Sequence, residues 1–300
     1  LLESSTNLMK TKLNLQTFGI LGLAVVGAIA ISGCQRSDRS AANAISINGS
    51  DTMLQVGIAW ADAYKEVAPG ITVTVNGEGS GTGIKALINN TVSLAHSSRA
   101  IKDSEAKLLK ETTGKDPVEH IVGYDGIAVF VNKGNPIKEV SLAQLQEVWA
   151  EGGKVTNWKD LGGVDAEINL AGRSNSSGTH SFFRDTVCGP GREFREGIAS
   201  MPGSSAVVEF CQTTPTAMGY SGMGYKNDKV GWLAIAKDEG GTAYMPSIEN
   251  VGSGDYPIAR PLYIYTAGEP EGAVKEYIDW IKSPGGQEIL AAEKFVPLPN

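Results

Sequence analysis

Three short stretches of this sequence gather glycines and hydroxyl side chains where a strand should give way to a helix. They are Gly49-Ser50-Asp51-Thr52, Gly77-Glu78-Gly79-Ser80-Gly81-Thr82-Gly83 and Gly172-Arg173-Ser174-Asn175-Ser176-Ser177-Gly178-Thr179. A helix N-terminus leaves backbone N–H groups without intrahelical partners and carries a partial positive charge, which favours an anion. Serine and threonine add hydroxyl donors, and glycine lets the backbone come close to a ligand. Any one such loop is also what an ordinary helix cap looks like. Three of them, with Arg173 inside the third, favour capture of a tetrahedral oxyanion, to which a guanidinium can donate two bonds.

Other chemistries fail on spacing. Gly77–Lys85 is not a P-loop, because Ile84 separates Gly83 from Lys85, nor a dinucleotide fingerprint, because Thr82 stands where the third glycine belongs. Ser221 follows Gly219 but precedes Met223, so the nucleophile elbow is missing. His96, His120 and His180 show no metal-ligand spacing and are expected as surface or capping residues. A hydrolase of phosphate esters would need a nucleophile with a paired base or a metal cluster, and neither is found. The expectation is a protein that is not an enzyme and uses no cofactor and no metal.

The elements that must carry these loops follow from the apolar patterning. Strands are expected at Ile45–Asn48, Ile71–Val75, Val92–Ala95, Gly126–Asn132, Ile168–Ala171 and Pro261–Thr266. Helices are expected at Met53–Val67, Gly83–Asn90, Ser104–Glu111, Leu142–Trp149, Thr179–Val187 and Gly272–Ile281. This alternation indicates an α/β fold with a mainly parallel sheet. If Gly126–Asn132 leads out of one lobe and Pro261–Thr266 leads back, lobe one comprises residues 45–128 and 260–300, and lobe two residues 129–259. The chain of 300 residues is 41% hydrophobic, which suits two lobes of ordinary size. Its net charge of -7 and the lack of a Lys/Arg run argue against nucleic acid as a partner.

The N-terminal part reads as an export segment. Met9 precedes Lys10 and Lys12, then an apolar run from Phe18 to Ile31 and the sequence Ile31-Ser32-Gly33-Cys34. The run is short for a membrane-spanning helix. The end of the run resembles the lipobox of bacterial lipoproteins, which implies a signal peptide within residues 1–33, with residues 1–8 upstream of the start. It also implies lipid on Cys34 and a periplasmic or cell-surface location. Residues 34–44 read as a polar tether. Cys188 and Cys211 then remain as a possible disulfide, with two buried thiols as the alternative.

Taken together, the loops resemble the phosphate-binding proteins of bacterial phosphate ABC transporters, the PstS family. The resemblance runs through Gly49–Thr52, Gly77–Lys85, Ala95–Arg99, Lys154–Gly162, Gly172–Phe183, Ala217–Tyr225 and Arg260–Ser283. It implies the two-lobed periplasmic-binding-protein fold of type II, with the ligand in the cleft between lobes. It also implies delivery of inorganic phosphate to permease and ATPase subunits in a membrane. A tethered phosphate sensor or adhesin would use the same fold. By the same resemblance Thr52, the backbone at Met53, Ser80, Ser98 and Arg99 would bind phosphate from lobe one, beside Ser50. From lobe two would come Arg173, Ser177, Gly178 and Thr179, with Asn175 in the same loop. Two departures stand out. Ser98 occupies a position where some members carry an aspartate, and Asn175 one where an aspartate often steadies the arginine. Both remove acceptors that would turn away a fully ionised oxyanion such as sulfate.

Overall fold

The computed structural model describes residues 43–299. The expected signal peptide, Cys34 and nearly all of the expected tether lie outside the described residues.

The chain begins with β1 (Ala44–Gly49), α1 (Leu54–Val67), β2 (Thr72–Gly77), α2 (Ser80–Ile88), β3 (Leu94–Ser97) and α3 (Asp103–Thr113). Strands β1, β2 and β3 pair in parallel. Helix α1 buries Val56, Gly57, Trp60, Ala61 and Tyr64, one stripe at helical spacing, against this sheet. After a three-residue 3-10 turn at Asp51–Met53, α1 starts at Leu54. Helix α2 starts at Ser80, three residues before the expected Gly83, so Ser80 belongs to its first turn.

A single strand, β4 (Pro117–Asn132), extends nine residues ahead of the expected start at Gly126. Glu119, His120 and Asp125 interrupt the apolar pattern of its first half, which concealed it from the sequence. Beyond it come β5 (Glu139–Ser141), α4 (Leu142–Trp149), β6 (Asn169–Arg173) and α5 (Gly178–Phe183). The chain continues α5 as a wider π-type turn over Arg184–Cys188. Then follow β7 (Ala199–Met201), α6 (Ser204–Thr213), β8 (Ala217–Gly222), β9 (Val230–Trp232), β10 (Ala234–Ala236) and β11 (Ala243–Tyr244). The chain closes with α7 (Ile248–Gly252), β12 (Ala259–Ala267), α8 (Gly272–Lys282) and α9 (Pro284–Ala292).

The main sheet runs β2-β1-β3-β12-β4-β8-β6-β7, with β9 also paired to β4. It is not mainly parallel. Its two ends are parallel, but β12 is antiparallel to β3 and β4, and β4 is antiparallel to β8 and β9. The antiparallel centre follows from β12, which returns alongside β4 over Pro117–Gly126 before β4 goes on to pair with β8.

Two large cores flank this centre. One gathers Ile45, Ile47, Met53, Trp60, Leu94, Leu262, Ile264 and Tyr277; Trp60 Nε1 also donates to the Gly286 carbonyl at 2.8 Å. The other gathers Ile127–Val131, Trp149, Phe183, Val207, Met218 and Tyr220. Phe183 stacks on Tyr220 at 3.9 Å between centroids, and Trp149 meets Tyr220 edge-on.

Cys188 and Cys211 are buried free thiols, so the possible disulfide is absent. Cys211 packs toward Gly219, with its Sγ 3.5 Å from the Phe130 carbonyl, and the Cys188 carbonyl accepts Gln146 Nε2 at 2.9 Å. Burial pushes the thiols up, to about 11 for Cys188 and about 12 for Cys211.

The histidines are not simple surface residues either. His120 Nε2 lies 3.3 Å from Thr266 Oγ1, and His180 Nδ1 lies 3.0 Å from the Arg173 carbonyl. His96, on β3, is fully buried against Gly57 and edge-on to Trp60, and its Nε2 has no partner. Burial pushes its imidazole down to about 3. Between roughly pH 6.5 and that value the unfolded chain takes up a proton that the folded chain refuses. The associated stability is complete above about pH 6.5 and falls as the pH drops, by up to about 1.4 kcal/mol per unit. His96→Gln is expected to flatten the fall in urea midpoint between pH 6.5 and 4. Parallel profiles for the two proteins would mean that the folded imidazole protonates normally.

Candidate functional site

The three loops, which follow β1, β2 and β6, converge beside the end of β3. Ser50 anchors the first loop by donating its backbone N–H to the His96 carbonyl at 2.8 Å, and its hydroxyl donates to Ser98 Oγ at 2.9 Å. Ser80 Oγ accepts the Ser98 backbone N–H at 3.0 Å and lies 3.3 Å from Ser98 Oγ. All three serines are buried, so one chain of hydroxyls lines this side. The Met53 N–H is directed to the Ser50 carbonyl at 3.1 Å inside the 3-10 turn.

The third loop arrives from the other core. Ser177 caps α5, its hydroxyl accepting the N–H groups of Thr179 and His180. Gly178 packs directly onto the serine cluster. A Cβ there would collide with the Ser80 hydroxyl and stand 2.8 Å from Ser98 Oγ, so only glycine allows the approach. Thr179 Oγ1 meets Thr52 Oγ1 at 2.7 Å. At the rim, the Gly81 N–H donates to the Ser176 carbonyl at 3.0 Å.

Arg173 is buried and reaches the site, where Nη2 donates to Asp51 Oδ2 at 2.9 Å and Nη1 to Ser204 Oγ at 2.7 Å. Its Nε is buried without a partner. Two expected members do not join. Arg99 is buried but turned aside, both its terminal nitrogens donating to the Glu105 carboxylate of α3 at 2.8 and 2.7 Å. Burial would raise the Glu105 carboxyl, but Arg99 and the Lys102 amide outweigh it and hold it low. Asn175 is exposed on the outer side of its loop and takes no part in holding Arg173. A polar side chain at the crest of a loop keeps its water, whereas the buried turn behind it is reserved for hydroxyls.

An unexpected group forms the floor. Arg260 on β12 and Asp125 on β4 are direct cross-strand partners. Both side chains are fully buried, with Arg260 Nη2 and Nε donating to Asp125 Oδ2 at 2.7 and 3.2 Å. Burial acts against both charges, raising the Asp125 carboxyl and lowering the Arg260 guanidinium, and each offsets the other. The Met223 N–H adds a bond to Asp125 Oδ1 at 3.2 Å. Arg260 still has donors to spare. Nη1 donates to the Ser98 carbonyl at 2.8 Å, and Nη2 to Thr179 Oγ1 at 2.9 Å and Thr52 Oγ1 at 3.4 Å. Among the described residues no group of three or more His, Cys, Asp or Glu side chains is placed to hold a metal ion. The arrangement can bind and orient a small oxyanion through hydroxyls and two guanidinium groups; it presents no activated nucleophile.

Residues 36–284 match the PBP superfamily domain. The chain is 31% identical to the phosphate-binding protein PstS of Pseudomonas aeruginosa strain PAO1, over 94% of this chain and 93% of that one. It is also 31% identical to PstS of Bacillus subtilis strain 168, over 88% and 83% of the two chains. The chain belongs to the PstS family.

Among solved structures, the fold is similar to a phosphate ABC transporter substrate-binding protein with bound phosphate from Clostridium perfringens. That match has a TM-score of 0.77 and 31% identity, over 86% of this chain and 100% of the other. An ABC-type phosphate transport receptor from Vibrio cholerae gives a TM-score of 0.67 at 25% identity, over 85% and 100%. The two-lobed α/β fold of this family is thus the fold of this chain.

Sequence reasoning missed Asp125, Ser204 and Arg260 as members of this cluster, and left out Asp51 although it stands in the first loop. Two of them carried a signal. Asp125 and Arg260 are opposite charges placed at the entrance to the two most apolar strands, Gly126–Asn132 and Pro261–Thr266, where a lone charge would be costly to bury. Ser204 had none, since its place depends on how α6 packs. Asp125→Asn would leave the Arg260 charge buried and unpaired, and is expected to cost about 3–5 kcal/mol of stability. Asp125→Leu combined with Arg260→Met should recover much of that loss. Urea unfolding without added ligand measures both, and additive losses would show that the two groups do not act as a pair.

Proposed function

We propose that this protein captures inorganic phosphate between its two lobes and delivers it to the membrane subunits of an ABC transporter, as a binding protein rather than an enzyme. The observation that carries this reading is the convergence of buried donors from both cores on one spot. Thr52, Ser80 and Ser98 meet Thr179 and Gly178, with Arg260 beneath them, and Arg173 reaches Asp51 beside Thr52. The similar proteins are phosphate-binding or phosphate-transport proteins, one of them solved with bound phosphate, which supports the choice of ligand. The lobes of this proposal are residues 45–128 with 260–300, and 129–259; the two large cores support that division.

The energetics suit a transport receptor. Hydrogen bonds to a charged group contribute about 1.5–3 kcal/mol each. Several of them, less the cost of ordering and desolvation, leave about the 8 kcal/mol of micromolar binding. Both guanidinium groups are already paired with carboxylates, at Asp51 and Asp125, so the site has little excess positive charge. Hydroxyls can accept as well as donate, which suits an oxyanion that keeps a proton. Calorimetry should therefore give one phosphate per chain, with sulfate at least about tenfold weaker. Sulfate binding as tight as phosphate would overturn the assignment of ligand.

The protein is further proposed to be held at the outer face of a membrane through lipid on Cys34. The run Ile31-Ser32-Gly33-Cys34 supports this, and among the described residues no helix is long and apolar enough to cross a membrane. Cys34→Ser should release the protein into the soluble fraction. A variant that stays with the membranes like the unsubstituted protein would mean that another anchor holds it.

A further inference from the structure

We propose that Asp51 is the positioning residue of Arg173, supplied from the opposite lobe, so that the arginine gains its carboxylate only when the lobes meet. This rests on the reading of the site as a phosphate site. Arg173 ends β6 in the second core, whereas Asp51 opens the 3-10 turn after β1 in the first. The two side chains meet at 2.9 Å, with Arg173 1% exposed and Asp51 14%. Among the described residues this is the only carboxylate paired with Arg173, and Asn175 in its own loop is exposed.

The carboxylate is held by more than the arginine. The Ser204 N–H and hydroxyl both donate to the same Oδ2, at 2.8 and 2.6 Å, and Ser204 Oγ in turn accepts Arg173 Nη1. Helix α6 begins at Ser204, and its N-cap residue is Gly203, which has no side chain to offer. Asp51 fills that role across a separation of 153 residues, placing a negative charge at the positive end of the helix. Gly203 makes room, since a Cβ there would lie 2.8 Å from Asp51 Oδ1. The Tyr225 hydroxyl adds a bond to the Asp51 carbonyl at 2.6 Å. One lobe thus inserts a single residue into a socket built from three segments of the other.

Two consequences follow. An arginine tethered on both terminal nitrogens presents its buried, unpartnered Nε in a fixed direction, with less rotamer freedom left to lose when an anion arrives. The clasp also forms after the ligand has entered the open cleft, so it governs escape rather than entry. Stopped-flow measurements with inorganic phosphate on the full chain should show Asp51→Ala raising koff at least about tenfold, with kon changed less than about twofold. Ser204→Ala should act in the same direction and by less, and the urea midpoint of phosphate-free protein should stay near that of the unsubstituted chain. In an Arg173→Ala background, Asp51→Ala should raise koff by a clearly smaller factor than in the unsubstituted chain, the Ser204 bonds accounting for what remains. If the unsubstituted protein binds phosphate and Asp51→Ala leaves koff unchanged, or if the two substitutions multiply independently, the proposal fails. If the unsubstituted protein does not bind phosphate, the functional reading fails and this inference with it.

Discussion

The buried ion pair between Asp125 and Arg260 ties the two cores together beneath Ser98, Thr52 and Thr179. It spans β4 and β12, the two long strands that link the two cores, and it is sealed from solvent on both sides. Two charges so buried are costly to desolvate, and they persist because each satisfies the other and because neighbouring groups use what remains. Arg260 supplies those uses. It holds the Ser98 carbonyl on the first lobe and the threonine hydroxyls of both lobes, so the floor of the cleft is a hydrogen-bonded junction rather than a greasy hinge. An apolar pair could pack as tightly, but it could not orient three polar partners.

From this junction the arrangement of the loops follows. The parallel ends of the sheet direct the C-terminal edges of β1, β3 and β6 toward the cleft, which is where an open α/β sheet offers loops and helix N-termini to a ligand. The serines of the first lobe are joined hydroxyl to hydroxyl, leaving their remaining capacity aimed inward. Gly178 then brings the backbone of the second lobe onto them at a distance no side chain would tolerate. Close approach, not charge excess, is what this site is built to achieve.

Much of this was legible in the residues. The three loops, the helix at Leu142–Trp149 and the apolar half of β4 follow from turn chemistry and periodicity. What escaped was whatever depends on distant partners. The antiparallel centre of the sheet depends on β12 returning alongside the polar half of β4, and neither strand records its neighbour. Arg99 was expected at the site by resemblance alone, yet Glu105, six residues on, holds both its terminal nitrogens. Cys188 and Cys211 looked like a pair because they were the last two, yet each is buried as a free thiol, one after α5 and one in α6. His96 looked polar enough for the surface, yet the strand that delivers Ser97 and Ser98 to the site leaves it no direction but inward.

Asn175 and Asp51 separate two tasks that a single loop could have combined. A carboxylate beside Arg173 in its own loop would hold the arginine whether the lobes were together or apart. With an exposed amide there instead, the carboxylate comes from across the cleft, and the arginine's charge is balanced only when the lobes meet. The open form then presents a less neutralised guanidinium to incoming anions, and the meeting of the lobes balances it as water is excluded. An unpaired charge is easily tolerated while solvated and costly once buried. The order of events therefore matches the order in which each electrostatic partner is needed: attraction first, pairing only as water leaves.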